Sequence, residues 1–355
     1  MTTIGWFIIV LGALVFVHEL GHFIVAKYWR ITVEEFGIGF PPRLAKIAEI
    51  GGTKYTINAL PLGGFVRMAG EEDPEIPGSF ASKRRLARAT TLVAGPAMNV
   101  VLAIVLYIAI SMIGAPTPMP DRPGVGVYDV QAGSPAEAAG LRPGDTILRI
   151  DDLTLGPNAA DQLQAYVASH AGQPTIIIVE RGEKMLDPFT IVPRVNPSEN
   201  RGALGIRVGP ALVKKTYPLR DAIVYGFQET GRLGVLMLST LGDIIRGAEP
   251  LEIAGPLGIA QATGEVARSG LVWLMDFTAL LSLNLALINL LPFPALDGGR
   301  LMFVILEALR GGRRIDPRKE RFVHVIGMAL LLSLLVFISY FDLMRIVSGQ
   351  PILGQ

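Results

Sequence analysis

The stretch "VFVHELGHFIVAK" at residues 15–27 places two histidines and a glutamate in an otherwise apolar segment. Residues 4–17 carry no charge, and Lys27 and Arg30 follow the apolar run. A run of about 20 apolar residues is long enough to cross a bilayer as a helix. Since no basic segment precedes the run and no A-x-A site closes it, we interpret it as a retained transmembrane helix rather than a signal peptide.

The composition of the 355-residue chain favours a membrane protein with a water-exposed part, because 50% of the residues are hydrophobic and only 18% are charged. The absence of cysteine excludes disulfides and thiolate metal sites. The net charge of +1 says nothing about acidic partners. The sequence has no P-loop pattern, and we expect neither a nucleotide nor a nucleic-acid partner. Four segments reach spanning length: 4–26, 91–114, 271–291 and 322–341.

Basic residues are concentrated in two of the connections between these spans. Ten Lys and Arg residues lie in 27–90, and seven lie in 298–321. Short basic loops stay in the cytoplasm, so we expect both termini and residues 115–270 on the other side of the membrane. A further apolar stretch, 219–246, is interrupted by charged residues, and we interpret it as an amphipathic helix at the membrane interface.

These patterns predict a chain of four parts. The external part begins with short apolar runs separated by turns, which are typical of small strands. The predicted parts are residues 1–114 with the first two transmembrane helices and a cytoplasmic β-hairpin region at 27–90, residues 115–196 as an external domain, residues 197–270 as a connecting segment, and residues 271–355 with the last two transmembrane helices.

The spacing of His18 and His22 places both imidazoles on one face of a helix. Glu19 lies beside that face, where its carboxylate could accept a proton from a water molecule held by a metal ion. Two imidazoles and one carboxylate are typical ligands of Zn²⁺ in hydrolytic sites, which keep a fourth position open. The alternatives are a buried polar cluster and a proton path, since polar residues at membrane depth are costly and mostly functional.

The predicted topology selects the third ligand. The first and third spans run in the same direction, and "LPFPALDGGR" (291–300) after the third span would bring Asp297 to the depth of the histidines. His324, at the start of the fourth span, is the rival. Pro292 and Pro294 must break the helix, and a break at membrane depth is tolerated where the backbone is buried in protein or lines a cavity. That cavity would admit water to the metal.

Two asparagines accompany these segments. Asn289 lies close to the break, where its amide could hold a substrate backbone or an oxyanion. Asn99 lies in "LVAGPAMNV" (92–100), and we interpret this small-residue stretch as a surface for close helix packing.

Together these motifs resemble the site-2 protease family of intramembrane zinc metalloproteases. The matching patterns are H-E-x-x-H at 18–22, A-G-P-x-x-N at 94–99 and N-x-x-P-x-P-x-L-D-G at 289–298. The sequence is also similar to the bacterial branch typified by the regulator of sigma-E protease, whose members carry external PDZ modules. Residues 133–152, "GSPAEAAGLRPGDTILRIDD", resemble a PDZ core.

The resemblance implies a multi-pass α-helical membrane protein with four transmembrane helices, a membrane-associated cytoplasmic β-sheet and an external α+β PDZ domain. It implies that His18, His22 and Asp297 bind zinc and that Glu19 is the general base. It also implies that the sheet receives the substrate as an added strand. The candidate substrate-binding residues are Asn289, Pro292, Pro294, Gly39 and Phe40. The family often has Gly-x-Gly where this chain has Gly39-Phe40-Pro41, and a proline cannot donate a backbone hydrogen bond to the added strand.

The implied enzyme is a metalloendopeptidase of the bacterial inner membrane, with both termini and the PDZ domain on the periplasmic side. Its substrate would be a single-span membrane protein resembling an anti-sigma factor, cut near the cytoplasmic end of its span. The PDZ domain would bind a peptide C-terminus or exclude bulky substrates. The alternatives are clearance of remnant signal peptides, a non-catalytic PDZ-bearing scaffold, and a metal or proton transporter. A scaffold needs neither Glu19 nor Asp297, and transporters usually show internal repeats, which we do not find.

Overall fold

The computed structural model of the chain describes residues 2–71, 73, 75–131, 133–182, 184–195, 202–248 and 255–347. The chain divides into two compact units. The helical unit contains Met1–Ile108, Val224–Gly264 and Leu274–Asp342, and the sheet unit contains Ala109–Ile223, Glu265–Trp273 and Leu343–Gln355.

The described elements follow one another as helices and strands of very unequal length. The helices are α1 (Thr3–Tyr28), α2 (Arg85–Ile113), α3 (Pro135–Ala139), α4 (Ala160–Ser169), α5 (Leu219–Ile245), α6 (Pro256–Ser269), α7 (Leu271–Leu290), α8 (Asp297–Leu309) and α9 (Pro317–Val347). The strands are β1 (Val33–Ile50), β2 (Thr53–Met68), β3 (Ala115–Pro118), β4 (Val125–Val130), β5 (Asp145–Ile150), β6 (Leu153–Thr154), β7 (Thr175–Arg181), β8 (Lys184–Met185), β9 (Phe189–Ile191), β10 (Ile206–Pro210) and β11 (Leu212–Lys215).

Among the described residues, four helices are long and apolar enough to cross a membrane, namely α1, α2, α7 and α9. They contain the four spans predicted from the sequence, so the expectation of four apolar helices is confirmed. α5 covers the amphipathic stretch at 219–246 and is not one of these four. The sequence did not predict α6 and α8, because these helices of 14 and 13 residues are short and amphipathic.

One face of α1 is buried along most of its length. Its buried side chains include Val10, Leu14, His18, His22 and Ala26, which recur at every fourth position. A Cβ atom on Gly21 would lie 2.2 Å from the carbonyl oxygen of Ala94. α1 and α2 therefore pack backbone against backbone at this level, as small residues allow in membrane helices.

β1 and β2 form a bent hairpin beside α1. The register pairs residues 35–38 of β1 with residues 54–57 and also with residues 64–67 of β2, so this part of β1 lies between two segments of its partner. A Cβ atom on Gly63 would lie 2.5 Å from the Cβ atom of Val15, which places the last segment of β2 against α1. β1 and β2 lie in the part of the chain, 27–90, where the sequence predicts a β-hairpin region.

A buried ion-pair cluster ties the hairpin together. The carboxylate of Glu35 on β1 accepts hydrogen bonds from Thr56 at 2.8 Å and from Arg43 at 2.7 Å. Burial acts to raise the pKa of Glu35, but these hydrogen bonds and the nearby guanidinium groups hold that pKa below its usual value. The charged form of Glu35 therefore stabilises the hairpin at neutral pH.

The sheet unit is built around an aliphatic core. The path of its main sheet is β10-β4-β5-β7-β8, with β6 on β5 and β9 on β7, and the short helices α3 and α4 belong to the same unit. Buried side chains from these strands and from α4 fill the core, including Val125, Val127, Ile147, Ile177, Val179 and Leu163. The sheet extends past residue 196, the predicted end of the external domain, because β10 pairs with β4.

Candidate active site

Two histidines of α1 and one aspartate of α8 converge inside the helical unit. One ligand atom from each of His18, His22 and Asp297 lies within 4.8 Å of the others. The Nε2 atoms of His18 and His22 lie 3.0 and 3.2 Å from Oδ2 of Asp297, and both histidines are buried. Two imidazole nitrogens and a carboxylate oxygen form the donor set of a hydrolytic zinc site, so the cluster fits zinc with a position left for water or substrate.

Asp297 reaches the histidines because the chain turns sharply between α7 and α8. The turn contains Pro292 and Pro294, and Asp297 is the first residue of α8. A Cβ atom on Gly298 would lie 2.2 Å from the carbonyl oxygen of Leu291, so glycine is required for this close approach. The start of a helix also favours a negatively charged side chain, because its unpaired N–H groups carry partial positive charge.

His324 of α9 holds this turn in place. Ala295 has a φ of 79°, a left-handed backbone conformation that a non-glycine residue adopts only when its surroundings enforce it. The Ala295 N–H donates a hydrogen bond of 3.0 Å to Nδ1 of His324. A Cβ atom on Gly327 would lie 2.3 Å from Cβ of Pro294, so α9 packs directly on the turn. His324, the rival ligand in the sequence, thus supports the turn, while Asp297 joins the histidines.

The outer nitrogens of both histidines have partners from α2. Nδ1 of His22 lies 2.8 Å from the carbonyl oxygen of Thr91, and Nδ1 of His18 lies 3.1 Å from the side-chain amide of Asn99. A carbonyl oxygen only accepts, so Nδ1 of His22 carries a proton, and the neutral form of this imidazole presents its Nε2 lone pair to the cluster. Such partners fix the tautomer and the ring orientation of metal-binding histidines.

The amide of Asn99 can impose the same tautomer on His18. Its Oδ1 atom is buried and has no hydrogen-bond partner among the described residues. The two ends of a side-chain amide have nearly the same shape, so the orientation is decided by the hydrogen bonds it makes. With Oδ1 turned to His18, this oxygen accepts from Nδ1–H, and Nε2 of His18 then presents a lone pair beside that of His22. This arrangement satisfies the buried oxygen and suits a metal ion.

The A-G-P-x-x-N segment of α2 is fitted to the histidine pair. A Cβ atom on Gly95 would lie 2.3 Å from Nε2 of His22 and 2.8 Å from Nε2 of His18. The Asn99 backbone carbonyl accepts a hydrogen bond of 2.7 Å from Ser282 of α7, which links three helices at this level. The sequence predicts close helix packing for this segment, and it does not predict the contact of Asn99 with His18. The feature of the sequence that could have indicated this contact is the motif itself, a stretch of small residues that ends in an asparagine.

Glu19 lies next to His18 and contacts the hairpin. The N–H of Val66 on β2 donates a hydrogen bond of 3.1 Å to Oε2 of Glu19. Because the Val66 N–H points at Glu19, the last segment of β2 presents an edge toward the cluster. The structure thus brings the carboxylate of Glu19, the metal-ligand set and a strand edge into one region.

The remaining candidate residues, Asn289, Gly39 and Phe40, make contacts within their own helix or hairpin. The side-chain amide of Asn289 donates a hydrogen bond of 3.0 Å to the carbonyl oxygen of Leu285 within α7. Gly39 has a φ of 80°, and a Cβ atom there would lie 2.7 Å from the carbonyl oxygen of Leu60. Phe40 is paired with Leu60, so this part of β1 packs on β2, whereas Val66 contacts Glu19.

Comparisons with known proteins find relatives named as metalloproteases over almost the whole chain. The zinc metalloprotease RasP of Geobacillus kaustophilus is 32% identical over 426 residues, with 96% of this chain and 97% of the relative covered. A protein of Clostridium acetobutylicum named as a zinc metalloprotease is 34% identical over 340 residues, with 94% and 95% covered. A chloroplastic membrane metalloprotease of Arabidopsis thaliana is 34% identical over 351 residues, with 95% and 79% covered.

A solved structure, the PDZ domain of an SdrC-like protein from Listeria monocytogenes, is 25% identical and covers 26% of this chain and 92% of its own, with a TM-score of 0.21. A TM-score of that size does not establish a shared fold. The sequence profile of peptidase family M50 matches residues 6–334, which is most of the chain. The chain therefore belongs to peptidase family M50, the site-2 protease family of membrane zinc metalloproteases.

Proposed function

We propose that this zinc metalloprotease hydrolyses a peptide bond within, or near the cytoplasmic end of, a transmembrane segment of its substrate. One observation carries the proposal. His18, His22 and Asp297 converge among helices of spanning length, beside the carboxylate of Glu19. A hydrolytic site among membrane-spanning helices is suited to substrates that are themselves in the membrane. Polar residues inside a membrane are costly and usually serve function.

The proposed zinc ligands are Nε2 of His18, Nε2 of His22 and a carboxylate oxygen of Asp297. Zinc at this position supplies Lewis-acid polarisation of the scissile carbonyl and of the attacking water. Asn99 and Thr91 hold the two rings in the tautomer that directs both Nε2 lone pairs inward, and His324 keeps the turn before Asp297 in shape.

Glu19 is the proposed general base. Its carboxylate takes a proton from the attacking water and passes that proton to the nitrogen of the leaving peptide. The N–H of Val66 keeps the carboxylate oriented at the edge of the cluster. A glutamine at this position keeps that hydrogen bond but cannot take the proton.

The substrate must lose helical structure before it can be cut, because the scissile amide of a helix is already hydrogen-bonded and shielded. We propose that the edge of β2 on either side of Val66, whose own N–H stays with Glu19, replaces those hydrogen bonds by strand addition. Asn289, Pro292 and Pro294 at the break between α7 and α8 are the proposed contacts on the opposite side of the substrate. Gly39 and Phe40 keep their proposed role as further substrate contacts on the same hairpin.

We place the enzyme in a bacterial inner membrane, with both termini and the sheet unit on the periplasmic side, because the basic connections favour the cytoplasm. Its substrates are single-span membrane proteins such as anti-sigma factors, with remnant signal peptides as the alternative class. The sheet unit acts as a PDZ domain, which binds a peptide C-terminus or excludes bulky substrates. Its helices α3 and α4 and its antiparallel seven-stranded sheet are compatible with that domain.

Reconstitution tests the proposal. The purified full chain is placed in liposomes with model single-span substrates and zinc, and the products are located by mass spectrometry. We expect cuts inside the apolar segment, loss of cutting in Glu19→Gln, and loss with a zinc chelator that zinc reverses. Cutting confined to water-exposed loops would contradict the intramembrane mechanism. Substrate capture without any cutting by the zinc-loaded wild type would favour the scaffold.

A further inference from the structure

A cavity of about 260 Å³ lies within the sheet unit, and residues between Gly114 and Trp273 line it. Its volume is below that of a drug-sized ligand site, which suits a small polar group. Its lining comes from the end of α2, two loops of the sheet, β11 and the first turn of α7. The lining residues that carry the argument are Gly114, Arg142, Arg181, Lys214, Leu271 and Trp273.

The charged side chains among the described residues that line this cavity are all basic. Arg142, Arg181 and Lys214 line it, and its described lining residues include neither aspartate nor glutamate. Arg181 is already paired, because it donates hydrogen bonds of 2.6 and 2.8 Å to the carboxylate of Asp145. Among the described residues, the side chains of Arg142 and Lys214 have no carboxylate within ion-pair distance, and both residues are exposed. Two cationic groups are therefore available to a ligand.

The cavity lies at the level where two membrane spans end. Gly114 follows the last residue of α2, and Leu271 and Trp273 belong to the first turn of α7. The indole of Trp273 borders the cavity beside Gly144, where a Cβ atom would lie 3.4 Å from Nε1. Tryptophan is enriched at the interface between lipid headgroups and water, so its position agrees with the level of the helix ends.

We propose that this cavity binds the phosphate of an anionic phospholipid headgroup in the leaflet that meets the end of α2 and the start of α7. Arg142 and Lys214 pair with the phosphate, and Trp273 lies beside the glycerol region. Leu271, whose side chain is 61% exposed, faces the first part of the acyl chains. Basic pockets beside membrane helices bind anionic headgroups in this way. The site goes beyond proteolysis, because it ties the sheet unit to the bilayer surface.

The test compares two matched double variants of the full chain in detergent by native mass spectrometry with added phosphatidylglycerol or phosphatidylcholine. Arg142→Gln with Lys214→Gln removes the free cations of the cavity. Arg149→Gln with Lys184→Gln removes the same charge from exposed positions of β5 and β8 outside the cavity. Inorganic phosphate, added in a third arm, distinguishes a lipid from a soluble phosphate as the source of the group.

We expect the wild type and the Arg149/Lys184 variant to prefer phosphatidylglycerol. The Arg142/Lys214 variant should lose about 30-fold of that preference, at roughly fivefold for each cation. If millimolar phosphate displaces the lipid, the cavity binds a phosphate group, but the proposed lipid occupant is wrong. An equal loss in both variants would overturn the site, because net charge alone would then explain binding. An unchanged preference in the Arg142/Lys214 variant would overturn it as well.

Discussion

The two units of the molecule have interiors of different chemistry. Aliphatic side chains that are 0% exposed fill the sheet unit, among them Val125, Val127, Ile147, Ile150 and Ile177. The sheet unit also buries a few polar residues, such as Asp145, but the helical unit buries a polar set that includes the two histidines of the candidate site. The members of this polar set include His18, His22, Thr91, Asn99 and Ser282. Each member of this polar set is hydrogen-bonded to another helix or to its own.

This difference follows from the solvent of each unit. A fully buried aliphatic side chain contributes about 1.5–3 kcal/mol to folding in water. Between helices in lipid that gain is lost, and close packing of small residues with interhelical hydrogen bonds holds the helices together. The polar interior is therefore expected to serve the zinc centre, and the aliphatic interior to serve stability. Substitutions in the two interiors should have effects that can be measured separately.

The largest expected effect is on catalysis without loss of stability. Glu19→Gln should lower the rate of cleavage by about 10²–10⁴-fold, because proton transfer is lost while the hydrogen bond to Val66 is kept. Zinc content and the thermal midpoint should stay at wild-type values. Glu34→Gln, at an exposed position of β1, is the matched control and should cleave normally. A Glu19→Gln protein that cleaves at the wild-type rate would break the assignment of the base.

The next largest expected effect is a loss of stability of the sheet unit without a loss of bound zinc. Ile147→Ala should lower the free energy of unfolding of the sheet unit by about 2–5 kcal/mol, since Ile147 is 0% exposed in the aliphatic core. Denaturant unfolding followed beside zinc analysis of the folded protein measures both quantities. Ile176→Ala is the control, because Ile176 on β7 is 48% exposed and should cost less than about 0.5 kcal/mol. Zinc loss in folded Ile147→Ala would contradict the separation of the two interiors.

Close packing in the helical unit predicts a substitution that lowers both the stability of the fold and the affinity for zinc. Gly95→Ala places a Cβ atom 2.3 Å from Nε2 of His22, so a ring or α2 must move. We expect a loss of about 1–3 kcal/mol in stability together with weaker zinc binding. The control is Gly12→Ala in α1, where the nearest atom, the carbonyl oxygen of Pro61, would lie 3.8 Å away. Equal behaviour of the two alanine variants would mean that α2 does not constrain the histidines.

The smallest effect concerns the amide of Asn99. Asn99→Ala should weaken zinc affinity by about 10–100-fold, because the Nδ1 of His18 loses the group that fixes its tautomer. Asn99→Asp should restore most of that affinity, since its oxygens can only accept from Nδ1–H. Zinc competition titration of the two variants measures the difference. If the aspartate variant binds zinc no better than the alanine variant, the assigned orientation of the amide is wrong.

The sequence predicts best the residues whose roles follow from their immediate neighbours in the chain. The i, i+4 spacing of His18 and His22 and the apolar runs of α1, α2, α7 and α9 can be read without knowledge of distant contacts. Asp297 was predicted from the direction of the spans, and it lies against the histidines. Its role as a ligand stays a prediction.

The features that the sequence did not predict depend on contacts between distant segments. Asn99 is a small polar residue in a packing motif, and its contact with His18 depends on how α1 and α2 cross. His324 is a rival ligand on the sequence alone, because nothing local reveals that its Nδ1 accepts the N–H of Ala295. The edge at Val66 depends on the bend of β2 against α1, which periodicity alone does not contain.

X-ray absorption at the zinc edge of the purified, active chain measures whether His18, His22 and Asp297 bind one zinc ion. We expect one zinc per chain with two imidazole ligands and oxygen ligands at about 2.0–2.2 Å. The Asp297→Asn variant keeps both histidines but should no longer bind stoichiometric zinc. A bound zinc without two imidazoles, or an unchanged zinc site in Asp297→Asn, would contradict this set of ligands.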